Sequence, residues 1–165
     1  MQQPIATPVR EKWLILSYFS HIDGMACAQH LDDRLPWLEA AGVTPLLVSG
    51  ACGERWPGRA HRRIPCIAPS GIRFELRHWL RRRISRLWLR KITGALVILP
   101  CLPFYLLEKL IFDLDSQWSW FPLAALSGLL LCRKHRPAVI YSTGGPASAH
   151  LAAAFVSRWS GIPWV

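Results

Sequence analysis

Trp13-Leu-Ile-Leu-Ser-Tyr-Phe19 is a short, uninterrupted apolar run, and a second such run extends from Val43 to Ser49. Runs of this length are typical of strands that are buried on both faces, as in a parallel sheet. Between them, leucines recur on one face of a predicted helix from Cys27 to Ala41, which Pro36 is expected to kink or restart. Strand, helix and strand within about 35 residues make a βαβ unit. This stretch therefore predicts an α/β fold.

The same alternation returns near the end of the sequence. Pro137-Ala-Val-Ile-Tyr-Ser142 has the pattern of a strand, Ala147 to Ser160 that of a helix rich in small residues, and Ile162 to Val165 that of a further strand. A short strand at Ile64 to Ala68 and a helix from Leu123 to Cys132 are also predicted. We expect an incomplete Rossmann-like parallel sheet with flanking helices. Because the sequence stops inside a βα repeat, we also expect that it is truncated.

Length and composition set limits on the class of protein. The chain has 165 residues, of which 52% are hydrophobic and 18% charged, so one domain with its own core is expected and two full domains are not. Its five cysteines are widely spaced, without a Cys-x-x-Cys pair or a His/Cys cluster, which favours reduced thiols over a metal site. The first residues lack the pattern of a secretion signal. These features predict a cytoplasmic protein.

The formal net charge of +10 is concentrated in one segment. From Arg73 to Lys91 the chain has eight Lys or Arg and one acid, Glu75, which gives +7, whereas the other twelve basic and nine acidic residues give +3. Such an excess of positive charge indicates a partner that carries phosphate, which leaves anionic lipid, nucleic acid and nucleotide as candidates.

Within this segment, apolar residues fall at helical spacing and arginines fill most of the remaining surface, which predicts a basic amphipathic helix from Ile72 to Arg90. We interpret it as a helix that lies in the membrane surface. The alternatives are a helix packed on its own sheet with a solvated basic face, and a nucleic-acid site, which no accompanying motif supports. The residues expected to bind the membrane are Trp79, Arg81, Arg82, Arg83 and Trp88.

An uncharged run of 16 residues, Ile92 to Leu107, follows the basic helix and contains Pro100 and Pro103. A membrane-spanning helix needs about 20 apolar residues. We therefore expect this run to dip into the interface or to form a hairpin. The whole segment of about residues 72–112 is then expected to bind the cytoplasmic face of an anionic membrane peripherally.

Two turns that each join a strand to a helix are the candidate ligand site: His21-Ile-Asp-Gly-Met25 and Ser142-Thr-Gly-Gly-Pro146. In open α/β sheets, ligands bind beyond the carboxyl ends of the strands, and glycines let them approach the backbone. We expect the turns to lie side by side and to form one wall of a cleft. The alternatives are that both are ordinary tight turns and that His150 is a partly exposed helix histidine without a role in binding. The candidate substrate-binding residues are Asp23, Gly24, Met25, Ser142, Thr143, Gly144, Gly145, Ser148 and His150.

Several other chemistries lack their motifs in this sequence. A dinucleotide fingerprint, a P-loop and a Gly-x-Ser-x-Gly elbow are all missing. Asp32 and Asp33 are adjacent carboxylates, but neighbours on a helix point in different directions, and we expect them to be solvated or paired with Arg34. No cofactor, metal or nucleic-acid partner is predicted.

Three stretches resemble the N-terminal domain of family 4 glycosyltransferases, which have the GT-B fold. The resemblance covers most of the chain and is weakest from about residue 50 to residue 117. The three stretches are Leu14 to Phe19 with Asp23-Gly-Met25 and a helix ending at Ala41-Gly-Val43; Trp118-Ser-Trp-Phe-Pro122; and Pro137 to His150 with Gly161 to Val165.

This resemblance implies a retaining, metal-independent transfer of a sugar from a nucleotide sugar to an acceptor, in glycan or cell-envelope polysaccharide synthesis. Residues 1–165 would form the acceptor-side domain, which binds a sugar or a lipid-linked acceptor. The nucleotide-sugar domain and the catalytic residues are then expected beyond Val165. The alternative is a non-catalytic, peripheral membrane-binding α/β module.

Overall fold

The computed structural model describes residues 11–22, 24–111, 115–143 and 145–165. Four strands of the described chain form one all-parallel sheet in the order β3-β2-β1-β4. They are β1 Glu11–Leu16, β2 Val43–Gly50, β3 Ala60–Ile64 and β4 Val139–Ser142. Helices flank this sheet, which confirms the α/β class that the sequence predicts.

Among the described residues, two helices lie between β1 and β2, none between β2 and β3, four between β3 and β4, and one after β4. Tighter 3₁₀ turns at Leu99–Cys101 and Trp118–Trp120 join some of them. The helices are α1 Ala26–Asp32, α2 Arg34–Ala40, α3 Pro69–Arg83, α4 Leu87–Ile98, α5 Leu102–Ile111, α6 Phe121–His135 and α7 Ala147–Ser160.

Both faces of the sheet are covered, which explains the uninterrupted apolar runs of the central strands. On one face Leu14 and its neighbours on β2 and β4 pack against α6 and α7. On the other face Ile15 and Leu47 pack against Leu31 and Leu35 from α1 and α2. Successive residues of a strand point to opposite faces, so each of them must be apolar when helices cover both.

Three predicted elements differ in their bounds. The helix expected from Cys27 to Ala41 is two helices that meet at Asp33, and Pro36 lies in the first turn of α2, where an N–H is dispensable. The short strand β3 lies earlier than predicted because it is an edge strand in which only His61 is buried, and it therefore has no apolar run. Residues 163–165 pair with β4 only through a parallel bridge between Ile140 and Trp164 and adjacent backbone hydrogen bonds.

The basic helix predicted from Ile72 to Arg90 is also divided. Helix α3 ends at Arg83, Ile84 has an extended backbone, and α4 begins at Leu87. The chain reverses there, and α4 and α5 pack back against α3, which makes a helical hairpin from Pro69 to Ile111. Trp79 and Trp88 therefore belong to different helices and not to one apolar face.

Helix α4, the 3₁₀ turn and α5 form one helical segment, Leu87–Ile111, of 25 residues. By length and composition alone, this segment of the described chain is apolar and long enough to cross a membrane. That corrects the shorter run expected from the sequence. Pro100 and Pro103 do not end the helix, because the tighter 3₁₀ turn at Leu99–Cys101 accommodates them.

Candidate functional site

The two predicted turns come together at the carboxyl edge of the sheet. Strands β1 and β4 are neighbours, and the Thr143 N–H donates to the Leu16 carbonyl at 3.2 Å. A Cβ atom on Gly145 would lie 3.2 Å from the Cys27 Sγ and 3.5 Å from the Phe19 ring, so the second turn touches the chain that follows β1. Of the predicted residues, Asp23 and Gly144 lie outside the described part of the chain. The turn after β4 therefore lies against the chain that follows β1, and the cleft wall itself stays a prediction.

The predicted residues differ in how far they reach solvent. Gly24 and Gly145 are exposed, and Met25 is half-buried. Thr143 is buried, and so is Ser148, whose hydroxyl has no hydrogen-bond partner among the described residues. The glycines and Met25 are therefore the parts of the two turns that a ligand can approach.

Ser142 and His150 form a local network beside β4. The Ser142 Oγ lies 2.9 Å from the His150 Nδ1 and accepts a hydrogen bond of 2.7 Å from the Trp164 indole. His150 itself is exposed on α7. The network ties the end of β4 to residues 163–165, and the exposed imidazole edge remains accessible to a ligand.

His21 is the first residue of the predicted turn but not one of its candidate binding residues, and it lines a polar cavity at this site. Its backbone is in the left-handed region, with φ of 53°. Its N–H donates to both carboxylate oxygens of Asp32, at 3.0 and 3.1 Å, and its carbonyl accepts from the Glu54 N–H at 3.0 Å. A bulky residue persists in this conformation only where its surroundings fix it, and such positions concentrate at functional sites.

Asp32 has a role that the sequence analysis did not anticipate. It was expected to be solvated or paired with Arg34, but its carboxylate holds the His21 backbone, while the Arg34 guanidinium donates to the Tyr141 hydroxyl. Burial raises the pKa of Asp32, and the hydrogen bond from His21 counteracts part of that increase. Asp33 is exposed, as predicted.

The loop after β2 packs against the His21 side chain through Trp56. The His21 ring lies 4.4 Å from the Trp56 ring, and the Trp56 indole donates to the Ser20 hydroxyl at 3.0 Å. The Trp56 N–H donates to the His61 Nδ1, and burial lowers the pKa of His61 to about 4, so this histidine is neutral at physiological pH. A neutral His61 keeps Nδ1 free as an acceptor, and the loop stays fixed.

A polar cavity of about 280 Å³ opens beside His21. Burial and the nearby arginines lower the pKa of His78, which also lines the cavity. The positive charge in the cavity at neutral pH is therefore that of the Arg81 and Arg82 guanidinium groups. Arg82 and Glu54 are 3.9 Å apart and both partly exposed, so their pairing neutralises little of it. The lining residues are His21, Ile22, Glu54, His78, Arg81 and Arg82. The cavity is therefore suited to an anionic group such as phosphate.

Helix α3 brings these arginines to the edge of the sheet because its first half is fixed to the core. The Glu75 carboxylate accepts hydrogen bonds of 3.0 Å from the Tyr18 hydroxyl and from the Cys66 N–H. Burial raises the pKa of all three side chains, that of Cys66 to about 12. Gly71 lets the helix approach Cys66 closely. The second half of α3 then extends past the end of β1.

The outer surface of the hairpin carries three of the residues expected to bind a membrane, Trp79, Arg83 and Trp88, whereas Arg81 and Arg82 line the polar cavity beside His21. Trp79 and Trp88 are 54% and 56% exposed, and the three arginines 81–83 are exposed. Helix α4 has no buried residue. The exposed apolar side chains of this surface include Trp88, Ile92, Leu96, Val97, Phe104, Leu106, Leu107, Leu110 and Ile111. So many exposed apolar side chains on one helical segment indicate an interaction site.

The far end of α5 is attached to the domain through Glu108. Its carboxylate accepts hydrogen bonds from the Ser70 N–H, from the Ser70 hydroxyl and from the Trp118 indole. Burial raises the pKa of Glu108, but these hydrogen bonds outweigh burial, and its pKa is below the ordinary value. A charged Glu108 is therefore stable in this position.

The described residues contain no group of three or more His, Cys, Asp or Glu that could hold a metal ion, and their five cysteines are free thiols. A comparison of the chain with protein-family models, curated proteins and solved structures finds no match. The chemistry of the site therefore has to be argued from its own residues.

Proposed function

We propose that this chain is the N-terminal, acceptor-side domain of a family 4 glycosyltransferase with the GT-B fold. The complete enzyme moves a sugar from a nucleotide sugar to an acceptor in glycan or cell-envelope polysaccharide synthesis. One observation carries the proposal: the turn after β1, next to the strand β4, contributes His21 and Ile22 to a basic cavity at the carboxyl edge of a parallel sheet. This edge is where open α/β sheets bind their ligands.

Within this proposal the chain forms one wall of the cleft. The accessible turn residues Gly24, Met25 and Gly145 contact the acceptor. The second domain holds the nucleotide diphosphate and supplies the catalytic residues, which is why none is assigned here. No metal or cofactor takes part. The reaction class comes from the resemblance of the three stretches to family 4 enzymes, and the basic cavity supports a ligand that carries phosphate.

The outer face of the hairpin supports a location on the cytoplasmic face of the membrane. Burying an apolar side chain stabilises a protein by about 1.5–3 kcal/mol when burial is complete, and the exposed residues of α4 and α5 gain part of this at a bilayer. Leu87–Ile111 lies in the interface and does not cross, because crossing would remove Glu108 from Ser70 and Trp118. A buried carboxylate without partners is costly.

The chain on its own is expected to transfer no sugar, because the domain that holds the nucleotide diphosphate is not part of it. The measurement is the release of nucleoside diphosphate from UDP-, GDP- and dTDP-sugars with soluble and lipid acceptors. Release above background that is lost in the variant Arg82→Ala would show that residues 1–165 contain the catalytic residues. It would overturn the proposal that the nucleotide-binding and catalytic residues belong to a second domain. Equal release by the unchanged chain and by Arg82→Ala would come from a contaminating enzyme, and the chain itself would then be inactive, as expected.

A second candidate function is a non-catalytic module that binds membranes. Helix α4, which has no buried residue, favours it, because binding needs only the hairpin. The two functions differ in what they require at the carboxyl edge of the sheet. A membrane module has no use for the fixed conformation of His21 or for the cavity beside it, whereas an acceptor site does.

A further inference from the structure

The inner side of the hairpin is a groove of about 890 Å³ between α3 and the segment of α4 and α5. This volume is typical of a site for one small molecule. Leu76 and Leu80 from α3 line it on one side, and Ile98 and Leu102 line it on the other. Gly94 contributes no side chain, so space remains open beside Leu80. The floor of the groove therefore fits a hydrocarbon chain.

The rim of the groove is cationic. Its charged lining residues are Arg73, Arg77, Arg81, Arg90 and Lys91, and no carboxylate of the described chain lines it. The Arg90 Nε is buried without a hydrogen-bond partner among the described residues. A buried guanidinium nitrogen without an acceptor is unfavourable, and a phosphate oxygen would supply that acceptor. Apolar floor and cationic rim together complement an anionic amphiphile.

Arg81 lines both this groove and the polar cavity beside His21. The two cavities are therefore adjacent, with one guanidinium at their boundary. These surroundings match a molecule that has a hydrocarbon chain, a phosphate and a polar head group in that order. The groove would hold the chain, Arg81 would contact the phosphate, and the cavity beside His21 would hold the head group.

We propose that the groove binds the hydrocarbon chain of a lipid phosphate, that Arg81 and Arg90 bind its phosphate, and that its head group lies beside His21. This lipid phosphate is the acceptor of the enzyme, and only that statement rests on the proposed transferase function. The outer face of the hairpin contacts the bilayer, so a lipid can enter the groove directly from the membrane.

The experiment measures the binding of farnesyl phosphate to the intact chain, below the concentration at which this lipid forms micelles, by titration calorimetry. Farnesol tests the hydrocarbon chain without the phosphate, and inorganic phosphate tests the phosphate without the chain. We expect farnesyl phosphate to bind at least tenfold more tightly than either. Arg81→Gln should weaken it by about tenfold to a hundredfold, since a hydrogen bond to a charged group is lost.

Two glycine variants separate the groove from general folding. Gly94→Leu fills the groove and should abolish binding, whereas Gly94→Ala places its Cβ at an ordinary 3.5 Å from Leu80 and should preserve it. Arg86→Gln removes the same charge from an exposed residue that lines neither cavity, and should also bind normally. Thermal unfolding confirms that each variant is folded.

Equal affinity for farnesol, equal affinity for inorganic phosphate, or unchanged binding by a folded Gly94→Leu would each overturn the groove as a lipid-phosphate site. A transferase that uses only soluble acceptors would overturn the acceptor assignment while these affinities stand. The binding of farnesyl phosphate is thus tested separately from the transfer of sugar.

Discussion

Replacing Arg81, Arg82 and Arg83 together by Glu is expected to abolish the flotation of this chain with anionic vesicles. Each Lys or Arg near an anionic leaflet contributes about 1 kcal/mol, so reversing three charges removes several kcal/mol of attraction. The unchanged protein should float with vesicles of phosphatidylcholine and phosphatidylserine, but not with phosphatidylcholine alone. Salt should weaken the binding, because it screens exposed charges over about 10 Å at 0.1 M.

The matched control reverses three charges elsewhere. Arg133, Lys134 and Arg158 are exposed near the ends of α6 and α7, at the amino edge of the sheet. Their replacement by Glu changes the net charge equally and should leave flotation intact. Equal loss in both variants would show that net charge alone drives binding. Binding to neutral vesicles, or retention after alkaline carbonate, would contradict a peripheral hairpin and favour Leu87–Ile111 as a membrane-spanning helix.

Gly71→Ala is expected to destabilise the domain and to loosen α3. An added Cβ would lie 2.3 Å from the Cys66 Cβ and 2.9 Å from the Ser116 carbonyl oxygen. Neither atom is the end of a flexible side chain, so the helix or the loop must move. Overpacking of this kind costs about 1–3 kcal/mol, which corresponds to a decrease of about 2–12 °C in Tm for a domain of this size. Thermal unfolding followed by circular dichroism measures it.

Gly94→Ala is the comparison for this variant. Both glycines lie in helices of the hairpin, but a Cβ at Gly94 makes only an ordinary contact. Alanine is the better helix former by about 1 kcal/mol, so the Tm should stay the same or rise. If Gly71→Ala unfolds at the same temperature as the unchanged chain, α3 is not held against Cys66 and Ser116 in the way described.

The central strands could be predicted from the sequence because helices cover both of their faces. Every residue of β1 and β2 near the centre must then be apolar, and this leaves an unmistakable run. Strand β3 lies at the edge of the sheet, where only His61 is buried and two exposed residues are arginines, so its apolar pattern was weaker and the predicted strand lay too late. The apolar sequence pattern of a strand was therefore clearest where both faces of that strand are buried.

The hairpin could not be predicted, because its turn depends on packing. The spacing of apolar residues continues across Ile84 to Arg86, and no glycine or proline marks the break there. The chain reverses since α4 can pack against Leu80. Pro100 and Pro103 were misleading in the other direction. They predicted an interruption near residue 100, whereas the helical segment continues from Leu87 to Ile111.

The candidate site was predicted in part. Strand β4 is the neighbour of β1, and this adjacency was enough to bring Gly145 against Cys27 and Phe19 in the chain that follows β1. His21 was a visible polar residue after β1, but nothing local indicates that Asp32 and Glu54 hold it in a left-handed conformation. Arg81 was assigned to the membrane, and its place beside His21 follows only from the docking of α3.

The most direct test of the account is the transfer of sugar by a protein that includes whatever the reading frame encodes after Val165. We expect a second βα domain, and metal-independent transfer from a nucleotide sugar to an acceptor with retention of configuration. The same protein with Arg82→Ala should lose transfer while it keeps its fold. A continued chain that floats with anionic vesicles but consumes no nucleotide sugar would contradict the account and establish the membrane-binding module in its place.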